Sequence, residues 1–595
     1  MASQGKKLIN HPSGVVTEYI EGLVEAYPGL QFLDGFPQIK VVLQANISPS
    51  TFDKVAVISG GGAGHEPAHA GYVGPGMLTA AVSGDVFASP PVDSILAAIR
   101  AVTGPKGCVL IVTNYTGDRL NFGLAVEQAK SEGYSIEMVI VGDDCALPPR
   151  RGIVGRRGLA GTVLVNKVAG ATAAAGLSLT EVAAAAKHAA KLVGTMGVAL
   201  SVCTLPGQPT SDRLGTEKME LGLGIHGEPG AAVVDIQPVD LVVSCVLNQI
   251  LSAETGYVPI TRGSNVVLMI NGLGGTPLME LMIAARKAIR ELQGIHGFVV
   301  DRVYTGSFMT SLDMAGFSIT LMKSEPAILE CLDSPTKAPC WPVGTEASIG
   351  GRPPVKVPLP LIPSSSSRNS EIVSRPQELT KFGCILEAAI EAAAKEIVNM
   401  KDCSKEWETK LGDGDYSTTM KRGAAAIIED MKLWNYPLND TAETLNEMST
   451  TIRRVMGGTS GILYAILCKA AYTSLKGHSQ PTAREWANAL AASIDAVSKY
   501  SGARAGDCTM LDALIPASNT LNERLDAGDN PVTAFVASAE AAMIGAESTK
   551  FLQAQAGRSA FTSPDLLVSV PDPGAMAAAL WYRAAAFSVA SKFKP

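Results

Sequence analysis

At 595 residues the chain exceeds the size at which one hydrophobic core keeps growing, so two or more domains are expected. Its 47% hydrophobic and 18% charged residues exclude a disordered polar chain, and a net charge of -7 without a long basic block argues against nucleic-acid or anionic-membrane partners. Ten cysteines without a C-x-x-C pair argue against a zinc site and a dense disulfide framework, leaving reduced core thiols as the expectation.

In chain order, the first residues, MASQGKKLINHP, are too polar for a secretory signal. No apolar run long enough to span a membrane follows, so a cytoplasmic protein with small-molecule partners is expected. Short β-branched runs then alternate with Ala-rich stretches. Val55 to Ile58 runs into Gly60 to Gly62, Val109 to Val112 into Asn114 and Tyr115, Ile136 to Val141 into Gly142, and Val266 to Ile270 into Asn271 and Gly272. Strands ended in this way predict an α/β domain over residues 1–350 with ligand loops at the strand ends.

Proline and serine displace any apolar period over 351–376, which predicts a linker. Beyond it, Phe382, Ile385, Leu386, Ala389, Ile390, Ala393 and Ile397 recur at helical spacing, with further stripes at 424–434, 441–455, 462–475 and 484–499. Strand signals nearly vanish, so residues 377–595 are predicted to form an all-helical bundle with its chemistry in the interhelical loops.

The glycines at 60 to 64 follow a predicted strand but fit neither the dinucleotide fingerprint nor the Walker pattern. They lead into His65-Glu66-Pro67, and because proline suits a first helical turn, His65 is expected at a helix start with free N–H groups nearby. His226 lies in GIHGEPG, a second Gly-His context of similar composition in a chain with only seven histidines. A lone histidine is ordinarily a hydrogen-bonded structural group, and His11, His69, His188, His296 and His478 are read so. Between glycines, His226 can reach an electrophile instead. Asp118 is open to two readings, an Asx turn or a carboxylate facing the crevice of the sheet.

Asp413 and Asp415 would diverge on a helix, but Gly412 and Gly414 permit a turn that converges them on one ion. The residues that follow do not continue an EF-hand. Gly457 to Gly461, with Thr459 and Ser460, opens a helical stripe, as either a plain cap or a phosphate site. Arg558 is either a solvated helix-end cation or a partner for a transferred phosphoryl group.

GGGAGHEPAHAGYVG, NYTGDRLNFG, GIHGEPG, GDGD and GGTSG, in this order, resemble the dihydroxyacetone kinase family in its single-chain, ATP-dependent form. The resemblance implies that His226 adds to the substrate's keto carbon as a hemiaminal, that His65 and Asp118 hold hydroxyls and assist proton removal, and that Gly62, Ala63 and Gly64 cradle the substrate. A neutral imidazole is a competent nucleophile and a carbonyl its natural electrophile, so glycerol should be refused. The resemblance further implies Mg2+ on Glu408, Asp413 and Asp415, and ATP against Asp413, Gly414, Asp415, Tyr416, Thr459, Ser460, Ser501, Thr509, Met510, Arg558, Asp572, Pro573 and Gly574. The family often has lysine at Thr113, aspartate at Glu408, glycine at Ser417 and Ser501, and arginine at Cys508. It also implies a homodimer in which the helical domain of one chain serves the α/β domain of the other. Some fused relatives split FAD into AMP and cyclic FMN with Mn2+, and inactive relatives act as regulators, which are the two rival expectations.

Overall fold

The computed structural model describes residues 5–50, 52–147, 155–342, 374–400, 416–478, 480–552 and 570–593. The chain divides into two compact units, Met1–Pro358 and Leu359–Pro595.

The first unit holds two six-stranded sheets. In the first are β1 (Leu30–Phe32), β2 (Val41–Gln44), β3 (Ala56–Ala63), β4 (Ala80–Val86), β5 (Cys108–Thr113) and β6 (Ile136–Val141), in the order β1-β2-β4-β3-β5-β6. β4, β3, β5 and β6 are mutually parallel, and β1 and β2 form an antiparallel edge. Every residue of β5 is buried, as expected of a parallel strand covered on both faces.

The second sheet contains β7 (Val193–Ala199), β8 (Lys218–Leu221), β9 (Ala232–Asp235), β10 (Asn265–Gly272), β11 (Val299–Gly306) and β12 (Gly316–Lys323), in the order β11-β10-β12-β7-β8-β9. Only β10 and β11 pair in parallel. The helix Gly161–Ala174 is buried along nearly its whole length, and its apolar residues share one core with side chains from both sheets, so it holds the sheets to each other.

Two local expectations are corrected here. The glycines at 60 to 62 do not follow the strand but belong to it, since β3 runs to Ala63. A Cβ at Gly60 would meet the Val82 carbonyl oxygen at 2.3 Å and one at Gly62 the Ala88 nitrogen at 2.8 Å, so bare glycine lets β4 and the chain beyond it press against β3. Nor does a helix begin at Pro67. The His65 carbonyl accepts the Ala68 and Thr310 N–H groups, both at 3.1 Å, and a 3₁₀ turn follows at Ala70–Tyr72.

The second unit is helical, with no strand among the described residues. Its helices are Lys381–Asn399, Tyr416–Lys432, Thr441–Val455, Gly458–Leu475, Ala483–Ser501, Leu511–Asp526, Pro531–Ser548 and Pro573–Lys592. Thr482 and Glu485 close a capping box at the start of Ala483–Ser501, which satisfies N–H groups that a helix end leaves free. Of the predicted linker only Ser374–Pro376 falls among the described residues. The described cysteines are all free, and no helix among the described residues is long and apolar enough to cross a membrane.

Candidate functional site

β4, β3 and β5 lie side by side and parallel, so their carboxyl ends open on one crevice, the place where open α/β sheets bind ligands. Thr113 is the last residue of β5, and its hydroxyl donates to Asp118 Oδ2 at 2.8 Å. Asp118 sits in the first turn of the helix Thr116–Ser131, 5% exposed, and its Oδ1 has no hydrogen-bond partner among the described residues. Burial raises its carboxyl above the ordinary range, against the hydrogen bonds from Ser89 and Thr113. Such a carboxylate is a stronger base than a solvated one.

His65 follows β3 and is 5% exposed. Its Nδ1 lies 2.9 Å from Thr310 O, and because a carbonyl only accepts, Nδ1 carries the hydrogen. Burial, then the neighbouring His226, lowers its pKa to about 3, so the ring is neutral with a lone pair on Nε2. Phe87, at the end of β4, stacks on His65 at 5.0 Å and 15°. Gly64, at φ +100°, makes room for this stack, since a Cβ there would meet Phe87 Cε1 at 2.6 Å.

His226 arrives from the loop between β8 and β9 of the other sheet. The Ser311 hydroxyl donates to Ile225 O and fixes that loop against the segment that binds His65. Three rings enclose the imidazole edge-on: His65 at 4.8 Å, Phe87 at 5.0 Å and Tyr115 at 4.6 Å. His226 Nε2 stands 3.1 Å from His65 Nε2. Since His65 has committed its one hydrogen to Thr310, the hydrogen between the rings belongs to His226.

Glu228 completes this group and was not singled out from the sequence. Its Oε2 accepts the His226 backbone N–H at 2.8 Å, and its Oε1 lies 3.6 Å from His226 Nδ1. Burial alone would raise its carboxyl, but the His226 ring and the Arg157 guanidinium outweigh that and hold it down to about 2. Arg157 is buried, donates to Asp144 Oδ2 at 2.7 Å and Gly222 O at 2.6 Å, and comes within 4.0 Å of Glu228. Gly224 leaves space for the carboxylate, because a Cβ there would lie 2.0 Å from Glu228 Cδ. Phe87, Tyr115 and Glu228 are thus site residues that the motifs did not announce, although Tyr115 and Glu228 stand inside quoted strings.

In the second unit, Glu408, Asp413, Gly414, Asp415 and Arg558 lie outside the described residues, as does the side chain of Tyr416. The helix Gly458–Leu475 begins after Gly457 at φ +65° with no side-chain cap. Thr459 is exposed and Ser460 half-buried, and no protein group among the described residues bonds their hydroxyls. Elsewhere the predicted residues close turns. Ser501 Oγ donates to Val497 O, Thr509 Oγ1 accepts Leu511 N–H at 3.2 Å, and Met510 is buried. Asp572 caps Pro573–Lys592 through Ala575 N–H at 2.7 Å, and its own N–H donates to Thr549 Oγ1 at 2.8 Å. Cys508 Sγ reaches Thr549 O at 3.4 Å, so the segments carrying Thr509, Met510 and Asp572 to Gly574 converge. No hydrogen bond joins Thr459 or Ser460 to them among the described residues. No cluster of metal-ligating side chains occurs among the described residues.

The two sheets with their shared crevice of histidines and carboxylates, followed by a helical unit, define the class: a two-domain chain with an α/β ligand site and a helical partner domain. Residues 21–340 match the Dak1 domain family and residues 410–587 the DAK2 domain family. A Solanum lycopersicum protein provisionally named 3,4-dihydroxy-2-butanone kinase is 70% identical over 100% of both chains. Triokinase/FMN cyclase of Homo sapiens is 40% identical over 97% of this chain and 98% of its own. The crystal structure of the dihydroxyacetone kinase of C. freundii superposes with a TM-score of 0.67 at 36% identity, covering 99% of this chain and 100% of that one. The same enzyme has been solved with AMP-PNP and Mg2+, with a TM-score of 0.66 over 98% of this chain and 99% of that one. The chain belongs to the dihydroxyacetone kinase family and is a kinase.

Proposed function

We propose that the protein transfers the terminal phosphoryl group of ATP to dihydroxyacetone, which it holds as a hemiaminal on His226. The observation that carries this reading is the 3.1 Å contact between His226 Nε2 and His65 Nε2 inside a cage of rings. As His226 Nε2 bonds the keto carbon, the carbonyl π pair moves to oxygen. The hydrogen on Nε2 passes to His65 Nε2 and from there to that oxygen, so the adduct is a neutral carbinol and no atom is lost. Glu228 accepts the His226 backbone N–H at 2.8 Å and so holds the attacking ring in place. Captured through its carbonyl, the sugar is held for Asp118, the base that takes the proton from its terminal hydroxyl.

The deprotonated oxygen bonds the terminal phosphorus of ATP as the bond to the bridging oxygen breaks and ADP leaves, and Mg2+ would neutralise charge on the phosphates. The helix start at Gly458, uncapped among the described residues, and the hydroxyls of Thr459 and Ser460, which no described residue bonds, suit phosphate oxygens. The metal is assigned to Glu408, Asp413 and Asp415 and the phosphoryl contact to Arg558 on motif grounds alone. The same reading takes the protein as a cytoplasmic homodimer with exchanged helical domains, which sedimentation at micromolar concentration tests.

A second reading is favoured by relatives named triokinase/FMN cyclase: cleavage of FAD to AMP and cyclic FMN at the same nucleotide site with Mn2+. One set of assays tests both. Purified protein with ATP and Mg2+ is given dihydroxyacetone, glyceraldehyde, glycerol or 3,4-dihydroxy-2-butanone, the last named by the tomato relative, and separately FAD with Mn2+. Phosphorylation of carbonyl substrates and refusal of glycerol is the expected outcome. Phosphorylation of glycerol at a comparable rate contradicts covalent capture.

A further inference from the structure

His226 lies in the loop 222–231, between β8 and β9. Ser311 ties the middle of that loop at Ile225 O, and Arg213 donates to Gly227 O at 3.2 Å. Its two stems converge on a single guanidinium. Arg157 donates through Nη2 to Gly222 O at 2.6 Å and through Nη1 to Pro229 O at 3.5 Å, while its Nε donates to Asp144 Oδ2 at 2.7 Å. A guanidinium cannot accept, so each of these bonds has one direction.

The place from which Arg157 reaches belongs to the first sheet. Asp144 follows β6, is 1% exposed, and gives its own N–H to Arg157 O at 3.1 Å. The next residue, Gly158, packs so closely on the ends of β5 and β6 that a Cβ there would meet Asn114 N and Val141 O, both at 2.7 Å. Beside Asn114 stands Thr113, whose hydroxyl holds Asp118. Arg157 thus brackets the crevice that carries the base to the loop that carries the nucleophile. A lysine in this place would present one ammonium, without the planar fork that meets two carbonyls and a carboxylate at once.

We propose that Arg157 is a positioning residue of the kinase site, clamping both stems of the His226 loop so that the imidazole stands against His65 before substrate binds. This rests on the reading of His226 as the group that captures a ketose. Arg157 touches neither the sugar nor the reacting atoms. It holds the loop in advance, so that capture does not have to order it. Without the clamp the ordering cost falls on the capture step, where a higher substrate concentration offsets it, and phosphoryl transfer from the captured sugar is spared.

Removing Arg157 alone would leave the Asp144 carboxylate buried without its cation, so the test uses two variants that both lack this ion pair. Asp144→Asn retains an oxygen for Nε and keeps the guanidinium on the two carbonyls. Adding Arg157→Met to it removes the clamp and strands no carboxylate. The double variant should show a KM for dihydroxyacetone roughly tenfold or more above that of Asp144→Asn, with kcat little changed, and adduct formation without ATP should slow with kcat/KM. Arg157→Lys, which keeps the cation beside Asp144, should raise KM in the same direction and gives the reading if the double variant does not fold. A merely structural role lowers the active fraction instead, and with it kcat at an unchanged KM. That pattern, equal KM values in the two Asp144 variants, or wild-type kinetics in Arg157→Lys would overturn the proposal. A wild-type protein that turns over dihydroxyacetone without forming an adduct would overturn capture by His226 itself, and this inference with it.

Discussion

His65 and His226 meet nitrogen to nitrogen, Nε2 to Nε2 at 3.1 Å, although 161 positions separate them in the chain and they come from different sheets. The contact requires exactly one hydrogen between two rings, and the Thr310 carbonyl decides that His226 provides it. A proton donor and its acceptor are therefore in place before any substrate arrives. What remains for the site to supply is a group that holds the attacking ring in place and a base for the second step.

Glu228 is the candidate for the first, since its carboxylate accepts the His226 backbone N–H at 2.8 Å. Glu228→Gln keeps its shape and removes the negative charge that accepts that N–H. A charge-assisted contact is worth about 1.5–3 kcal/mol, so capture should slow roughly ten- to a hundredfold. Stopped-flow measurement of adduct formation checks this, and an unchanged rate would remove Glu228 from the mechanism.

Gly224→Ala should reproduce that defect without touching any charged group. Its new Cβ would lie 2.0 Å from Glu228 Cδ and must push the carboxylate from its place. Overpacking of this kind costs about 1–3 kcal/mol of stability, so the folded variant remains measurable. Combining it with Glu228→Gln should add little further loss of capture rate, which a double-mutant cycle would reveal.

Asp118→Asn separates the two chemical steps. The amide keeps the size of the carboxylate but cannot take a proton, so kcat should fall about a hundred- to ten-thousandfold. Adduct formation should persist. Loss of the adduct together with turnover would mean that Asp118 serves capture rather than transfer.

Acid should unfold the first unit through its buried histidines. His65 and His69 are held down to about 3 and about 4 from an ordinary 6.5, so below pH 6.5 the unfolded chain binds protons that the folded one refuses. Stability is then full above pH 6.5 and declines as pH falls toward 4 and 3. Urea midpoints at pH 7 and pH 5 check the sign, and His69→Gln should flatten the dependence.

Much of the architecture could be read in advance, for physical reasons that also explain the gaps. β3, β5, β6 and β10 carry runs of β-branched residues ended by glycine or asparagine, which is signal enough for a strand. β7, with the sequence VGTMGVA, and the four-residue β8 and β9 have no such run, so most of the second sheet was silent. The helices with large apolar stripes were visible, whereas Pro531–Ser548 buries Ala534, Ser538, Ala539, Ala542 and Ala546, a face too small to register as a stripe.

The site divides similarly. Glycine-flanked motifs pointed to His65 and His226 because close approach needs glycine locally. Phe87 carries no local signal, since its contacts are rings that arrive from elsewhere in the fold.

The most direct measurement follows the keto carbon itself. Dihydroxyacetone labelled with a magnetic isotope at that carbon is mixed with the protein, without ATP, and observed by NMR. The account predicts that the bound ketone resonance is replaced by that of a tetrahedral carbon bearing nitrogen and oxygen, in wild type and not in His226→Ala. A bound substrate that keeps its ketone resonance in the wild-type protein, or an equal tetrahedral signal in His226→Ala, would contradict it.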